Sequence, residues 1–344
     1  MAAWFRRRDR AEQQPPSERA PQQPSSVAVP DAPPETFDEA KPLLRVRPVG
    51  LVPLADRRRM GEVHGDPGAA DAVSAAVADY HVGAVLDLPS ADVPVSESVA
   101  ARWGVPIGEI LLAASDNVRN EAVRLFEHDG AIVNEGRAAA ALTLLGGPRY
   151  LPPGDMPEMQ RGRGLTPVIV IPDDTNCLIG FAEDPSSIVA IARVAEEVLS
   201  STRRPVSITP LVADDDRWVP YTWPAEAAPA VGQLSRRWDL IRYERTRDVL
   251  TEWLEHRGEQ LLVAKVMVGA RPEDGRYRSM ASWVDGMVNL IPYVDEVVLV
   301  RADGATTALP LTALLERRLL EPYEGVYPEY MIGTRFPTEL IQAS

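Results

Sequence analysis

The sequence has one cysteine, Cys177, and four histidines, His64, His81, His128 and His256, in 344 residues. A single cysteine forms no disulfide within the chain and cannot supply the cysteine ligands of a zinc site. The histidines are far apart, and none has a second ligand-type residue at a spacing typical of zinc sites. We therefore predict no metal, no other cofactor and no need for an oxidising compartment.

The chain also lacks a long apolar run and an excess of basic residues. No stretch of about 18 apolar residues occurs, so no membrane-spanning helix is expected. Fifty acidic residues against 36 basic ones give a formal net charge of -14, and the resulting field repels nucleic acid. The first residues do not resemble a secretory signal. These features predict a cytoplasmic protein that does not bind nucleic acid.

Local catalytic motifs are missing as well. The sequence contains no glycine-rich phosphate loop and no Gly-x-Ser-x-Gly motif. Cys177 lies in an apolar run, which predicts a buried small hydrophobe. Lys265 interrupts another apolar run and is predicted to be a solvent-facing lysine at a sheet face or edge. The run Asp214 to Asp216 predicts a solvated hairpin tip, because adjacent carboxylates cannot all point at one ion. No catalytic residue is predicted.

Composition divides the chain into three parts. Residues 1–40 are rich in Gln, Pro, Ser and Glu, which predicts a disordered N-terminal arm. Prolines interrupt the apolar residues of 41–68, which predicts an extended linker or edge segment. Residues 69–344 are the predicted body, with two possible subdomains divided near 230.

The body is predicted to be α+β, with mixed helices and hairpin-paired strands. Two hairpins are indicated by apolar runs around polar loops, at 167–181 and 206–223. Apolar residues spaced by three and four, or alanine-rich composition, predict helices at 69–80, 106–118, 137–145, 184–199, 233–256 and 311–318. Further strands are predicted at 82–88, 261–268, 277–283 and 295–301, with a turn or short helix at 287–291.

Several short segments resemble a known family when they are taken in order. They are Val85–Pro89, Trp103–Val105, Val168–Pro172, Pro205–Ser207, Asp216–Pro220, Tyr243, Ser282–Val284 and Leu290–Pro292. Together they are similar to the bacterial YtpQ-like proteins of unknown function, over about residues 80–340. The resemblance implies a bacterial intracellular α+β body, and it assigns no catalytic residue.

The leading functional hypothesis is a non-enzymatic interaction or adaptor protein that binds a protein partner. An enzyme with a scattered site is one alternative, since residues on separate loops leave no local motif. A peripheral membrane adaptor tethered by the arm is another. The arm begins with Trp4 and Phe5, followed by Arg6, Arg7 and Arg8. Aromatic rings beside arginines predict a weak contact with an acidic surface, either anionic lipid or a partner protein.

Overall fold

The computed structural model describes residues 33–119, 121, 124–151, 164–270 and 277–341. The fold is α+β, as the sequence predicts. The described helices are α1 (Phe37–Ala40), α2 (Leu51–Val63), α3 (Glu97–Trp103), α4 (Ile107–Val118), α5 (Arg137–Gly146), α6 (Pro185–Ser201), α7 (Ala228–His256), α8 (Leu311–Glu316) and α9 (Thr338–Ile341). The predicted arm at 1–40 lies largely outside the described residues.

Strands of the first part of the chain form two sheets. They are β1 (Leu44–Val49), β2 (Val73–Val77), β3 (Tyr80–Asp87), β4 (Asp92–Pro94), β5 (Arg124–His128), β6 (Ala131–Glu135), β7 (Pro167–Val170), β8 (Asn176–Phe181), β9 (Leu211–Asp214) and β10 (Arg217–Pro220). The first sheet has the order β1-β3-β2, with β4 on β3. The second has six antiparallel strands in the order β10-β9-β7-β8-β6-β5.

Alternation along β7 explains how the second sheet joins two cores. Val168 and Val170 face α6 and the first part of α7, whereas Ile169 and Ile171 face α4, α5 and the first sheet. Successive residues of a strand point to opposite faces, so one apolar run serves both layers. Cys177 is fully buried on the second of these faces.

Strands of the last part form two further sheets. They are β11 (Leu262–Val263), β12 (Val266–Ala270), β13 (Tyr277–Val284), β14 (Asn289–Pro292), β15 (Glu296–Val300), β16 (Thr306–Pro310), β17 (Glu321–Tyr323) and β18 (Tyr330–Gly333). The third sheet has the order β11-β14-β18-β17 and the fourth has the order β12-β13-β15-β16. Within them, β11 pairs with β14 and β13 pairs with β15 in parallel.

Helix α7 is shared between the two halves. Its residues Leu234 and Trp238 belong to the core against the second sheet, and Tyr243, Leu250 and Trp253 belong to the core of the third and fourth sheets. The predicted division near 230 therefore falls at the start of α7, and this helix packs against the cores of both halves.

The folded part of the chain begins before residue 40, where the predicted arm ends. Thr36 and Glu39 form a capping box at the start of α1, and the ring of Phe37 lies 6.0 Å from that of Trp103. Residues 51–63 also differ from the predicted extended segment, because they form helix α2. Pro53 lies in the first turn of α2, where a missing N–H leaves no helical hydrogen bond unmade. The predicted edge strand is present as β1.

Three other predictions of local structure are wrong. The alanine-rich segment 69–80 is strand β2 and its turn, because pairing with β3 overrides a weak helix preference. The predicted strand 261–268 is two strands, because the chain leaves the third sheet at Ala264–Lys265 and enters the fourth. The predicted turn at 287–291 contains strand β14.

Gly50 stands where two segments of backbone meet. It precedes the first residue of α2, and a Cβ atom at this position would overlap the carbonyl oxygen of Val206. Glycine is therefore required here by close backbone approach. This contact holds α2 against the loop that precedes β9.

Candidate functional site

An open groove runs between helix α7 and strand β11, with a volume of about 960 Å³. We call it the α7 groove. Arg247, Asp248, Glu252 and Glu255 line its helical wall, and Glu259 lines it just beyond the end of the helix. The opposite wall is formed by 261–263 and by Met287, whose side chain is exposed. The groove thus combines carboxylates on one wall with apolar side chains on the other.

The carboxylates form a stripe because of their spacing. Asp248, Glu252 and Glu255 are separated by four and three residues, and side chains at these intervals share one face of a helix. Glu244, four residues earlier, lies on the same face and lines a smaller cavity of about 140 Å³ with Lys265. Like charges at these intervals destabilise an isolated helix. The stripe therefore does not stabilise the helix by itself.

Two carboxylates of the stripe are available for a ligand. Glu252 and Glu255 are exposed, and neither has a hydrogen-bond or ion-pair partner among the residues that the structure describes. Asp248 differs, since Oδ1 of its carboxylate accepts a 2.9 Å bond from Nη2 of Arg247. The free negative charge of the groove is centred on Glu252 and Glu255.

Glu259 is held at the end of the groove by two neighbours. The hydroxyl of Tyr323 donates a 2.6 Å hydrogen bond to Oε2, and Nε of Arg257 donates a 2.8 Å bond to Oε1. The Tyr323 hydrogen bond, with a further contribution from Arg257, lowers the pKa of Glu259 below its ordinary value. Burial and the Glu259 carboxylate raise the pKa of Tyr323 to about 12. Glu259 is therefore ionised, and the Tyr323 hydroxyl protonated, near neutral pH.

Strand β11 lines the groove and is the outermost strand of its sheet. Leu262 and Ala264 donate backbone hydrogen bonds of 2.9 Å to Val288 and Leu290, so their N–H groups point toward β14. In a parallel pair the N–H and C=O groups of alternate residues point away from the partner strand. Those of Leu261 and Val263 accordingly point away from β14. Among the described strands, β11 pairs with β14 alone. Such an edge can accept an added strand.

Helix α2 fixes the position of the groove's helical wall. Oγ1 of Thr246 donates a 3.1 Å hydrogen bond to Asp56, and Arg59 forms an ion pair with Asp56 at 3.1 Å. Burial raises the pKa of Asp56, partly offset by Arg59. Nη2 of Arg59 also donates a 2.7 Å bond to the carbonyl of Tyr327. The middle of α7 is thereby tied to α2 and to the loop before β18.

A second group of charges, in which Arg47, Asp71 and Asp174 are buried, joins the first sheet to the second. Nη2 of Arg47 lies 3.0 Å from Asp71, and burial lowers the pKa of Arg47. Nearby, Arg204 contacts Asp174 at 3.2 Å and Asp92 at 3.4 Å. Arg57 also pairs with Asp71, and Arg137 pairs with Asp92 and Asp174. These side chains form ion pairs with one another at the packed junction between the sheets. We therefore interpret them as structural contacts.

The residues singled out in the sequence are dispersed. Trp4, Phe5, Arg6, Arg7 and Arg8 lie outside the described residues. Lys265 is exposed, as predicted, but it lies in the loop between β11 and β12 and not at the predicted sheet face or edge. Cys177 is buried, as predicted, and burial raises its pKa to about 12. Asp214, Asp215 and Asp216 form the exposed tip of the β9–β10 hairpin, also as predicted.

One histidine has ligand-type neighbours that its sequence spacing does not reveal. Nε2 of His128 lies 3.1 Å from Oε2 of Glu197, and Asp129 contributes a third ligand atom within 4.8 Å of the others. Glu197 lies on α6, far along the chain, so the tertiary fold alone brings it to the β5–β6 turn. The described geometry is that of an imidazole–carboxylate pair with an exposed aspartate beside it. His64 and His256 are exposed at helix ends.

Comparisons with protein-family models, with curated proteins and with solved structures gave no match for this chain. The resemblance to the YtpQ-like family therefore stays a prediction. Among the described residues, no helix combines the length and the apolar character needed to cross a membrane.

Sequence reasoning identified helix α7 but missed the groove. The spacing of Asp248, Glu252 and Glu255 was a usable signal, since it marks one acidic face of a predicted helix. The opposite wall of the groove could not be predicted from the sequence, because it forms only where β11 pairs with β14.

Proposed function

We propose that this protein is an interaction protein that binds an extended, basic segment of a partner protein in the α7 groove. The observation that carries the proposal is the juxtaposition of free carboxylates with an open strand edge. Glu252 and Glu255 attract basic side chains, and the edge of β11 offers backbone hydrogen bonds to an extended chain.

The free carboxylates of the groove explain why it would select basic segments. Glu252 and Glu255 have no described partner, so a lysine or arginine of the ligand need not displace an existing ion pair. Each exposed pair contributes only about 0.2–1 kcal/mol, so charge alone gives weak binding. Recognition then depends on several pairs acting together with backbone pairing.

The apolar part of the groove supplies contact area. Leu261 and Leu262 are half-buried, and Met287 exposes 51% of its surface. Methionine adapts its shape to different partners and occurs at binding surfaces of broad specificity. The expected ligand is therefore an extended segment in which basic and apolar residues alternate.

The proposal is tested by fluorescence anisotropy on the full chain, with labelled eight-residue peptides of alternating valine and arginine or alternating valine and glutamate. We expect the valine–arginine peptide to bind, and its affinity to fall as salt rises. We expect E252R/E255R to weaken binding at least about tenfold, because two attractive pairs become repulsive.

A matched control changes the net charge of the protein equally. Glu127 and Glu316 are exposed carboxylates on β5 and α8, away from the groove. E127R/E316R should leave the affinity unchanged, and N-methylation of alternate peptide nitrogens should weaken binding by removing strand pairing. Equal weakening by the two double variants would reject the groove as the binding site.

A further inference from the structure

We propose that the α7 groove is occupied, in the chain by itself, by residues 4–10 of the same molecule. This inference deepens the proposed function, because it names a ligand of the same groove. It makes the N-terminal segment an internal competitor that a partner protein must displace.

Charge is the first argument for this occupant. The segment contains Arg6, Arg7, Arg8 and Arg10 with one acid, Asp9, whereas the whole chain has a net charge of -14. A strongly basic segment on an acidic protein is attracted to the carboxylates that lack partners. Among the described residues of the groove those carboxylates are Glu252 and Glu255.

The order of residues in the segment fits an extended strand. Side chains alternate between two faces of a strand, so Trp4, Arg6, Arg8 and Arg10 share one face. Phe5, Arg7 and Asp9 share the other. An extended segment can thus turn three arginines toward the acidic wall while its one carboxylate points away from it.

The length of the extended segment agrees with the length of the groove. Residues two apart on a strand are separated by roughly 6.6 Å, which sets the spacing of Arg6 and Arg8. Along α7, Asp248 and Glu252 are separated by roughly 6 Å of helical rise, and Glu252 and Glu255 by roughly 4.5 Å. From Arg247 to Glu255 the wall extends for roughly 12 Å, which four or five extended residues cover. Residues 4–8 therefore match the groove in length.

The connecting chain is long enough to reach the groove. Residues 11–32 number 22 and can extend to roughly 73 Å. A compact body of roughly 310 residues has a radius of gyration near 20 Å, hence a diameter of roughly 50 Å. A tether of this length gives an effective concentration on the order of 1 mM, so a weak contact is populated within one molecule.

The test places the photoreactive amino acid benzoylphenylalanine at position 5 of the full chain. After irradiation we expect a crosslink to residues 247–263 or to Met287, mapped by mass spectrometry. E252R/E255R should reduce its yield at least about threefold, while E127R/E316R should leave it unchanged. Crosslinks spread over other surfaces, or none above background, would overturn the inference.

Mixing isotopically light and heavy chains identifies the source of the segment. Crosslinks within one isotopic form, with a yield independent of protein concentration, support the intramolecular contact. Mixed light–heavy crosslinks that grow with concentration would overturn it in favour of a second copy. Arg8→Glu should reduce the yield more than Arg7→Glu, because only Arg8 shares the face directed at the carboxylates. Equal effects would contradict the extended arrangement.

The two proposals fail in different ways. If the segment competes for the groove, R6E/R8E should raise the affinity for the valine–arginine peptide by about three- to tenfold, given the effective concentration of the tether. Peptide binding without a crosslink from position 5 would overturn this inference and leave the proposed function standing. A mapped crosslink, with no peptide binding even by R6E/R8E, would do the reverse.

Discussion

The indole nitrogen of Trp253 donates a 2.6 Å hydrogen bond to Oε2 of Glu62, and so joins the groove-forming helix α7 to helix α2. Trp253 is buried, and the guanidinium of Arg257 stacks 4.5 Å from its ring centre. The same Arg257 holds Glu259 at the end of the groove. The wall of the candidate site is therefore supported by a contact between two helices.

We expect Trp253→Phe to lower the free energy of unfolding by about 1–2 kcal/mol, because it removes this hydrogen bond and part of the buried ring. Glu62 is exposed, so water can replace the lost donor. Urea unfolding measures the effect. Trp223→Phe is the control, since Trp223 is only half-buried. An equal loss in both variants would show that the Glu62 contact contributes nothing.

A pair of glycine substitutions separates close backbone approach from helix preference. Gly50→Ala should lower the free energy of unfolding by about 2 kcal/mol or more, because the new methyl group overlaps the Val206 carbonyl. Gly108→Ala, in α4, has open space for the methyl group and should raise it by about 0.5 kcal/mol. Thermal unfolding of both variants checks the signs. If Gly50→Ala left the free energy of unfolding unchanged, the backbone segments at Gly50 and Val206 would be able to move apart.

Cys177 should resist thiol reagents in the folded protein. Burial disfavours the thiolate and raises the pKa to about 12, so raising the pH from 7 to 9 should not produce the usual acceleration. Labelling with a chromogenic disulfide at several urea concentrations is the measurement. We expect reaction only as the protein unfolds. Rapid labelling without urea would contradict the buried position of the thiol.

The side chain of Lys265 should contribute little to the stability of the fold. Lys265→Gln is expected to change the free energy of unfolding by less than about 1 kcal/mol, because the side chain is exposed. Arg47→Gln provides the contrast, since it removes a buried cation from Asp71 and should cost about 3 kcal/mol. A loss for Lys265→Gln as large as that for Arg47→Gln would indicate a role for Lys265 that its exposure does not explain.

Purified protein should contain no stoichiometric zinc or iron. His128, Asp129 and Glu197 offer three ligand atoms, whereas structural zinc sites use four. Elemental analysis by mass spectrometry checks this expectation. One tightly bound equivalent that disappears in His128→Ala would instead assign a metal site to these residues.

Elements with strong local patterns were predictable. The step of three and four from Ile110 to Val118 gave α4, and Asp184 followed by Pro185 gave the start of α6. The polar loop around Asp215 gave the β9–β10 hairpin. In each case the residues that decide the structure are neighbours in the chain. The helix predicted at 69–80 was wrong, because alanine is compatible with helix and strand alike. Pairing with β3 decided in favour of the strand.

The sequence by itself determined the α+β class, the burial of Cys177, the exposure of Lys265 and the acidic face of α7, because these depend on composition and on periods of two or four residues. Only the tertiary structure decided that the chain changes sheets at Ala264–Lys265 and that β11 lies beside that acidic face. The strand edge of the groove exists because Leu262 pairs with Asn289. Such pairing is selected by the packing of the whole core, and no local spacing encodes it.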